Sequence, residues 1–108
     1  MPLFSGSHLF GKIKKGTRFE ALTDIATEGL IHWNAPMTTG FQCVIPRGTI
    51  LVVLRESSSC SLGFACVPEN RSGFEERFVP EADRQAEKYA GYSFVFTRLA
   101  LGRRLKPI

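Results

Sequence analysis

Short apolar runs set the scale of the structure that this chain can form. The longest spans residues 50–54, which is enough for one strand and far too short to cross a bilayer as a helix. The run is rich in β-branched residues and has no polar face. It therefore predicts a central strand that is buried on both faces.

Alternation of apolar and polar residues predicts further strands on either side of that run. We expect these strands at residues 17–23, 30–33, 41–45, 62–67 and 92–101. Turn-forming residues separate them, as in small barrels and rolls. The sequence therefore predicts a mainly β fold, at the margin of α+β, with five to six strands in a small barrel or roll of the SH3-like or oligonucleotide-binding (OB-like) type.

One short helix is predicted near residues 80–90. Pro80 suits the first helical position, Glu81 suits the positive end of the helix dipole, and Gly91 suits the C-terminal cap. The preceding residues 68–73 have the composition of a loop. A single late helix keeps the predicted fold mainly β.

The length and the cysteine content bound the domain organisation and the compartment. The chain of 108 residues has the size of one domain, and its 44% apolar residues are enough for one core. We expect loosely ordered ends at residues 1–11 and 103–108. The N-terminus lacks the features of a signal peptide, and three cysteines, an odd number, favour reduced thiols. These features predict a cytoplasmic protein with no membrane span.

Positive charge is concentrated at the two ends of the chain. Residues 1–18 carry four basic residues and no acid, and residues 98–108 do the same. Residues 19–97 hold six basic and ten acidic residues, so the body is mildly acidic and the net charge is +4. Because domain termini often lie close together, the ends are candidates for one basic surface that binds nucleic acid, anionic lipid or an acidic protein. The alternative is that both ends are merely solvated.

Among the aromatic residues, Trp33 is the best candidate for an interface residue. It follows His32 and precedes a proline turn, and tryptophan is enriched at interface hot spots. Packing over an open end of the barrel is the alternative. The predicted binding residues for nucleic acid or another anionic partner are Lys12, Lys14, Lys15, Arg18, Trp33, Arg103 and Arg104.

Catalytic and metal-binding patterns are weak in this sequence. The closest cysteine pair, Cys60 and Cys66, is too widely spaced for a usual zinc motif, so no metal or other cofactor is predicted. Cys60 follows three serines and is a candidate nucleophile, with His32 as its base. If Glu75 and Glu76 lie on a strand, their carboxylates point to opposite faces and do not converge on one substrate.

These observations predict a small binding or regulatory module and argue against an enzyme. Its expected partner is nucleic acid or an acidic protein surface. The second hypothesis is a protein-interaction subunit of a larger assembly. It would dock through an acidic face that includes Glu75, Glu76, Glu81, Asp83 and Glu87. The third hypothesis is a small enzyme with a Cys/His or carboxylate site.

One short pattern occurs twice. Residues 15–17 read Lys-Gly-Thr and residues 47–49 read Arg-Gly-Thr, and each precedes a predicted strand. The similarity does not extend along the chain as a repeat would. We interpret the two tripeptides as similar turns that lead into strands.

Overall fold

Strand pairing organises the described residues into a six-stranded antiparallel sheet and a separate two-stranded one. The computed structural model describes residues 12–27, 31–33, 43–56, 63–85 and 91–108. The strands are β1 Arg18–Ala21, β2 Ile25–Ala26, β3 Ile31–Trp33, β4 Val44–Ile45, β5 Ile50–Val53, β6 Gly63–Pro68, β7 Tyr92–Thr97 and β8 Leu105–Pro107. The helices are α1 Arg71–Phe78 and α2 Glu81–Arg84, and a 3-10 helix covers Arg98–Ala100.

The larger sheet has the order β3-β7-β6-β5-β1-β8, and β2 pairs with β4. The predicted mainly β fold is confirmed. Because β3 and β8 end the order, the sheet formed by the described residues is not closed, and the SH3-like or OB-like barrel stays a prediction. β5 is central, as expected, but Leu51 and Val53 are buried while Ile50 and Val52 are half-buried. The prediction of burial on both faces was therefore wrong, since only one face of β5 joins the core.

An aromatic core lies on the buried face of the sheet. Phe19, Phe94 and Phe96 are almost completely buried, and the ring centroids of Phe19 and Phe64 are 5.5 Å apart. The Phe74 ring from α1 packs edge-on against Phe94 with centroids 5.6 Å apart. The alternation of strand residues thus supplies one apolar layer, and α1 covers part of it.

The helical region differs from the sequence prediction. Where a loop was expected over residues 68–73, α1 begins after Asn70, whose side-chain oxygen accepts the N–H of Gly73 as an N-cap at 3.2 Å. Pro80 does precede a helix, but α2 ends at Arg84, and residues 86–90 lie outside the described part of the chain. No helix within the described ranges is long and apolar enough to cross a membrane.

The C-terminal tail also differs from expectation. Residues 103–108 were predicted to be loosely ordered, but β8 pairs with β1 and Leu105 is completely buried. The last N–H, that of Ile108, donates to the Arg18 carbonyl at 3.1 Å. β7 was expected to reach residue 101 but ends at Thr97, where the 3-10 helix begins. The predicted loose segment 1–11 lies outside the described residues.

The two Gly-Thr turns are related by a local two-fold axis. Thr17 N–H donates to the Lys14 carbonyl and Thr49 N–H donates to the Pro46 carbonyl, both at 3.1 Å. Each turn places a glycine in the left-handed region, with φ of 87° at Gly16 and 89° at Gly48.

Each of these glycines also closes the end of the opposite strand. Gly16 N–H donates to the Val53 carbonyl at 2.9 Å, and Gly48 N–H donates to the Ala21 carbonyl at 2.8 Å. The register pairs Phe19 with Leu51, so the axis passes through that pair. The two tripeptides are therefore equivalent turns that lead into strands, as interpreted.

Because both glycines need a positive φ, Gly16→Ala and Gly48→Ala should each lower the free energy of unfolding by about 1–2 kcal/mol. A new Cβ would meet nothing within 4 Å at either position, so the cost comes from the backbone alone. Urea denaturation followed by circular dichroism measures both values. Gly63→Ala is the control, since its Cβ makes only ordinary contacts and its φ is not positive. Equal stability of all three variants would contradict the prediction.

Candidate functional site

The two basic ends of the chain lie at opposite ends of β1. The Lys14–Lys15 turn is beside the start of β1, where Gly16 bonds to β5. The turn that contains Arg103 and Arg104 is beside its end, where Leu22 N–H donates to the Arg104 carbonyl at 2.7 Å. At about 3.3 Å per strand residue, the five steps from Thr17 to Leu22 separate the backbones of these two turns by about 17 Å or more. The structure therefore places two basic clusters apart from each other.

Two of the predicted binding residues are held by acidic partners from the body of the chain. Arg18 makes a two-pronged ion pair with Glu69, and its Nη2 lies 3.1 Å from Oε1. That hydrogen bond, with the charge of Glu69, raises the pKa of the guanidinium above its usual value. Lys12 pairs with Glu56 at 3.4 Å. These cations are exposed but already neutralised locally.

The other predicted cations are available to a partner. Lys14, Lys15, Arg103 and Arg104 are exposed and have no acidic partner among the residues that the structure describes. The backbone of Trp33 pairs with Tyr92 in the sheet, but its side chain lies outside the described part of the structure. Of these four cations, Arg103 and Arg104 also line a groove of the described surface.

A groove of about 440 Å³ lies where the chain leaves β7 and crosses towards β8. Leu99 is 78% exposed and Val95 is 42% exposed, so both present apolar surface to solvent. Arg103 and Arg104 lie beside these two side chains. We name this surface the Leu99 groove, and it is lined by Val95, Phe96, Thr97, Leu99, Ala100, Arg103 and Arg104.

Local backbone bonds fix the position of the two arginines. Arg103 and Arg104 both donate their N–H groups to the Ala100 carbonyl, at 3.2 and 2.8 Å. Gly102 adopts a φ of 84°, which allows the sharp turn between them and the 3-10 helix. The bond from Leu22 to Arg104 ties the turn to β1. The arginines therefore project from a turn that the sheet itself supports.

The lining of the Leu99 groove is suited to binding rather than to proton transfer. It combines apolar side chains with two permanently charged guanidinium groups, and its described lining residues include no carboxylate, imidazole or thiol. Such a surface complements a ligand that carries both an apolar group and negative charge.

A second groove of about 290 Å³ lies between α1 and the start of β5, and Ile50, Phe74 and Phe78 contribute apolar lining. Its charged residues are already engaged. Glu69 holds Arg18, and the Arg77 guanidinium lies over the Phe78 ring, 4.9 Å from its centroid. The Leu99 groove is therefore the stronger candidate.

The acidic residues of the second hypothesis do not form one continuous free face in the described structure. Glu75 is half-buried and lies 3.8 Å from Arg71 in an ion pair, and Glu81 accepts a bond from Gln85 at 3.0 Å. Glu76 is exposed on α1, which is a helix and not the strand considered from the sequence. The side chain of Asp83 and residue Glu87 lie outside the described part.

The described cysteines are poor nucleophiles. Burial raises the pKa of Cys66 to about 12. Partial burial also raises the pKa of Cys43, against the smaller opposing effect of its contact with Thr27. The candidate pair of Cys60 and His32 cannot be placed, because Cys60 and the His32 side chain lie outside the described structure. Within the described ranges no three histidine, cysteine or acidic residues are grouped to hold a metal.

Comparison with protein-family models, with curated proteins and with solved structures gives no match to this chain. The candidate site is therefore argued from its own geometry.

Three residues of this region escaped the sequence analysis as functional candidates. Val95 and Leu99 were placed within the strand expected over residues 92–101, and Arg47 was interpreted only as part of a turn. Gly102 permits the turn after the 3-10 helix, but it follows the predicted end of the strand at residue 101 and so did not signal that β7 ends at Thr97. Arg47 stands in the same Gly-Thr pattern as Lys15, which was selected for its charge.

A raised pKa keeps a thiol protonated at neutral pH, so Cys43 and Cys66 should resist alkylation in the folded protein. After a short treatment with iodoacetamide at pH 7, peptide mass spectrometry should find both unmodified, and both modified once the protein is unfolded in urea. The unfolded sample is the control for reagent access. Rapid labelling of Cys66 in the folded state would contradict its assigned burial.

Proposed function

We propose that this protein is a small binding module that holds an acidic segment of a protein partner in the Leu99 groove. The observation that carries the proposal is the exposure of Leu99 and Val95 beside two arginines without acidic partners in the described structure. Arginine clusters next to apolar surface suit acidic peptide motifs. An antiparallel sheet supports the groove, and the barrel or roll predicted from the sequence would be a closed form of that support.

An acidic protein segment fits the described surface better than nucleic acid does. Nucleic-acid binders neutralise a run of phosphates with a continuous basic path and stack bases on aromatic rings. Here Lys12 and Arg18 hold glutamates, and the other predicted cations form two clusters at opposite ends of β1, about 17 Å or more apart. The groove contributes exposed aliphatic side chains, which match the apolar residues of a peptide.

The contacts available in the groove predict a modest affinity. Exposed ion pairs contribute about 0.2–1 kcal/mol each, and they weaken as salt is added. An aliphatic anchor on Leu99 supplies the part that salt does not weaken. We therefore expect a transient interaction with a moderate dependence on ionic strength.

The test uses capped peptides of about ten residues that combine one leucine with four glutamates in different orders, measured by calorimetry at low and physiological salt. At least one should bind more tightly than about 1 mM. The double variant Arg103→Ala/Arg104→Ala should weaken that peptide about twofold to thirtyfold, because two ion pairs are lost. Leu99→Ser should also weaken it, by removing the apolar contact.

Lys14→Ala/Lys15→Ala is the matched control, because it removes the same charge from the other end of β1 and should leave peptide binding nearly unchanged. Apart from unchanged affinity of the arginine double variant, two results would overturn the proposal. One is the absence of binding by every peptide in the set. The other is a single-stranded oligonucleotide that binds more tightly than the peptides and loses affinity equally with both double variants, which would indicate a nucleic-acid partner.

A further inference from the structure

A third arginine lies at the same end of β1 as the Arg103–Arg104 turn, which lines the Leu99 groove. Gly48 N–H donates to the Ala21 carbonyl at 2.8 Å, which places the turn that carries Arg47 against one side of β1. Leu22 N–H donates to the Arg104 carbonyl at 2.7 Å, which places the second turn against the other side. Two turns from distant parts of the sequence thus flank the last residues of one strand.

The spacing of these turns follows from the sheet. β5 and β8 are the two neighbours of β1, and adjacent strands are about 4.8 Å apart. The backbones at Arg47 and Arg104 are therefore about 10 Å apart across β1. An extended peptide covers that distance in about three residues.

Arg47 is free to contribute its charge to a ligand. Its side chain is exposed and has no ion pair within the described residues. The nearby acid, Asp24, is bound through the backbone instead, because its Oδ1 accepts the N–H of Arg47 at 2.8 Å. Asp24 lowers the net charge at this end, but the described residues here carry three exposed guanidinium groups and one carboxylate, so their net charge is positive.

We propose that the acidic segment is extended and crosses the end of β1. An apolar residue lies in the Leu99 groove, one carboxylate meets Arg103 and Arg104, and a second carboxylate, about three residues further along, meets Arg47. This inference rests on the proposed function and specifies the spacing of the partner's sequence. It also makes Arg47 a specificity residue outside the groove.

The local two-fold axis provides an internal control. Lys15 occupies the position in its turn that Arg47 occupies in the other, and both follow the same backbone bonding pattern. The axis places Lys15 at the far end of the β1–β5 pair. Lys15→Ala therefore removes a comparable charge from an equivalent turn that the proposed segment does not reach.

The experiment compares two capped peptides, Leu-Glu-Glu-Gly-Glu-Glu and Leu-Glu-Glu-Gly-Gln-Gln, which differ only in the distal carboxylates. Arg47→Ala should weaken the first peptide about 1.4-fold to fivefold and leave the second unchanged, as expected for the loss of one exposed ion pair. Lys15→Ala should change neither by more than the general effect of net charge. Calorimetry gives the affinities, and circular dichroism with urea denaturation confirms that each variant is folded.

The outcomes separate this inference from the proposed function. If Arg103→Ala/Arg104→Ala weakens the first peptide and Arg47→Ala does not, the path across β1 is wrong and the groove remains the binding site. If the arginine double variant has no effect, both are wrong. If Arg47→Ala and Lys15→Ala weaken binding equally, only net charge is sensed and the specific path is overturned.

Discussion

The pairing of β1 on both of its edges is the constraint on which the rest of the structure depends. β5 bonds to one edge and β8 to the other, and Phe19 is completely buried beneath them. Because side chains alternate along a strand, a shift of one residue would expose Phe19 and turn Arg18 and Glu20 towards the core. The same register aligns Arg18 with Glu69 and Glu20 with Lys106, so the apolar and charged layers are specified together.

The sequence predicted the strands with clear alternation and missed the elements whose signal is ambiguous. Phe74 and Phe78 are four residues apart, which places them on one side of either a helix or a strand. Asn70, a good N-cap residue at the right place, distinguished the two but was read as part of a loop. β8 escaped detection because it is three residues long and only Leu105 is completely buried. Such a strand forms only because β1 offers it a bonding edge.

The candidate site was predictable only as a collection of cations. Counting charges located Arg103 and Arg104, but it did not show which other cations form ion pairs. Arg18 and Glu69, for example, are 51 positions apart in sequence and are brought together only by the pairing of strands in the sheet. The same reason explains why Arg47 was overlooked. Its turn reaches the end of β1 through pairing with β5, and nothing local to residue 47 indicates that Arg104 lies across the strand.

In the short 3-10 helix the charged side chain is buried and the apolar one is exposed, the opposite of the usual arrangement. Arg98 is 5% exposed, while the adjacent Leu99 is 78% exposed. Neighbouring packing enforces this arrangement. Ala100 and Leu101 are buried, and Leu101 bridges to Leu105, so turning the helix to hide Leu99 would sacrifice those contacts. A single exposed leucine needs no explanation. Leu99, however, shares one groove with exposed Val95 and two unpartnered arginines of the described surface, and an acidic segment with an apolar residue would cover all four together.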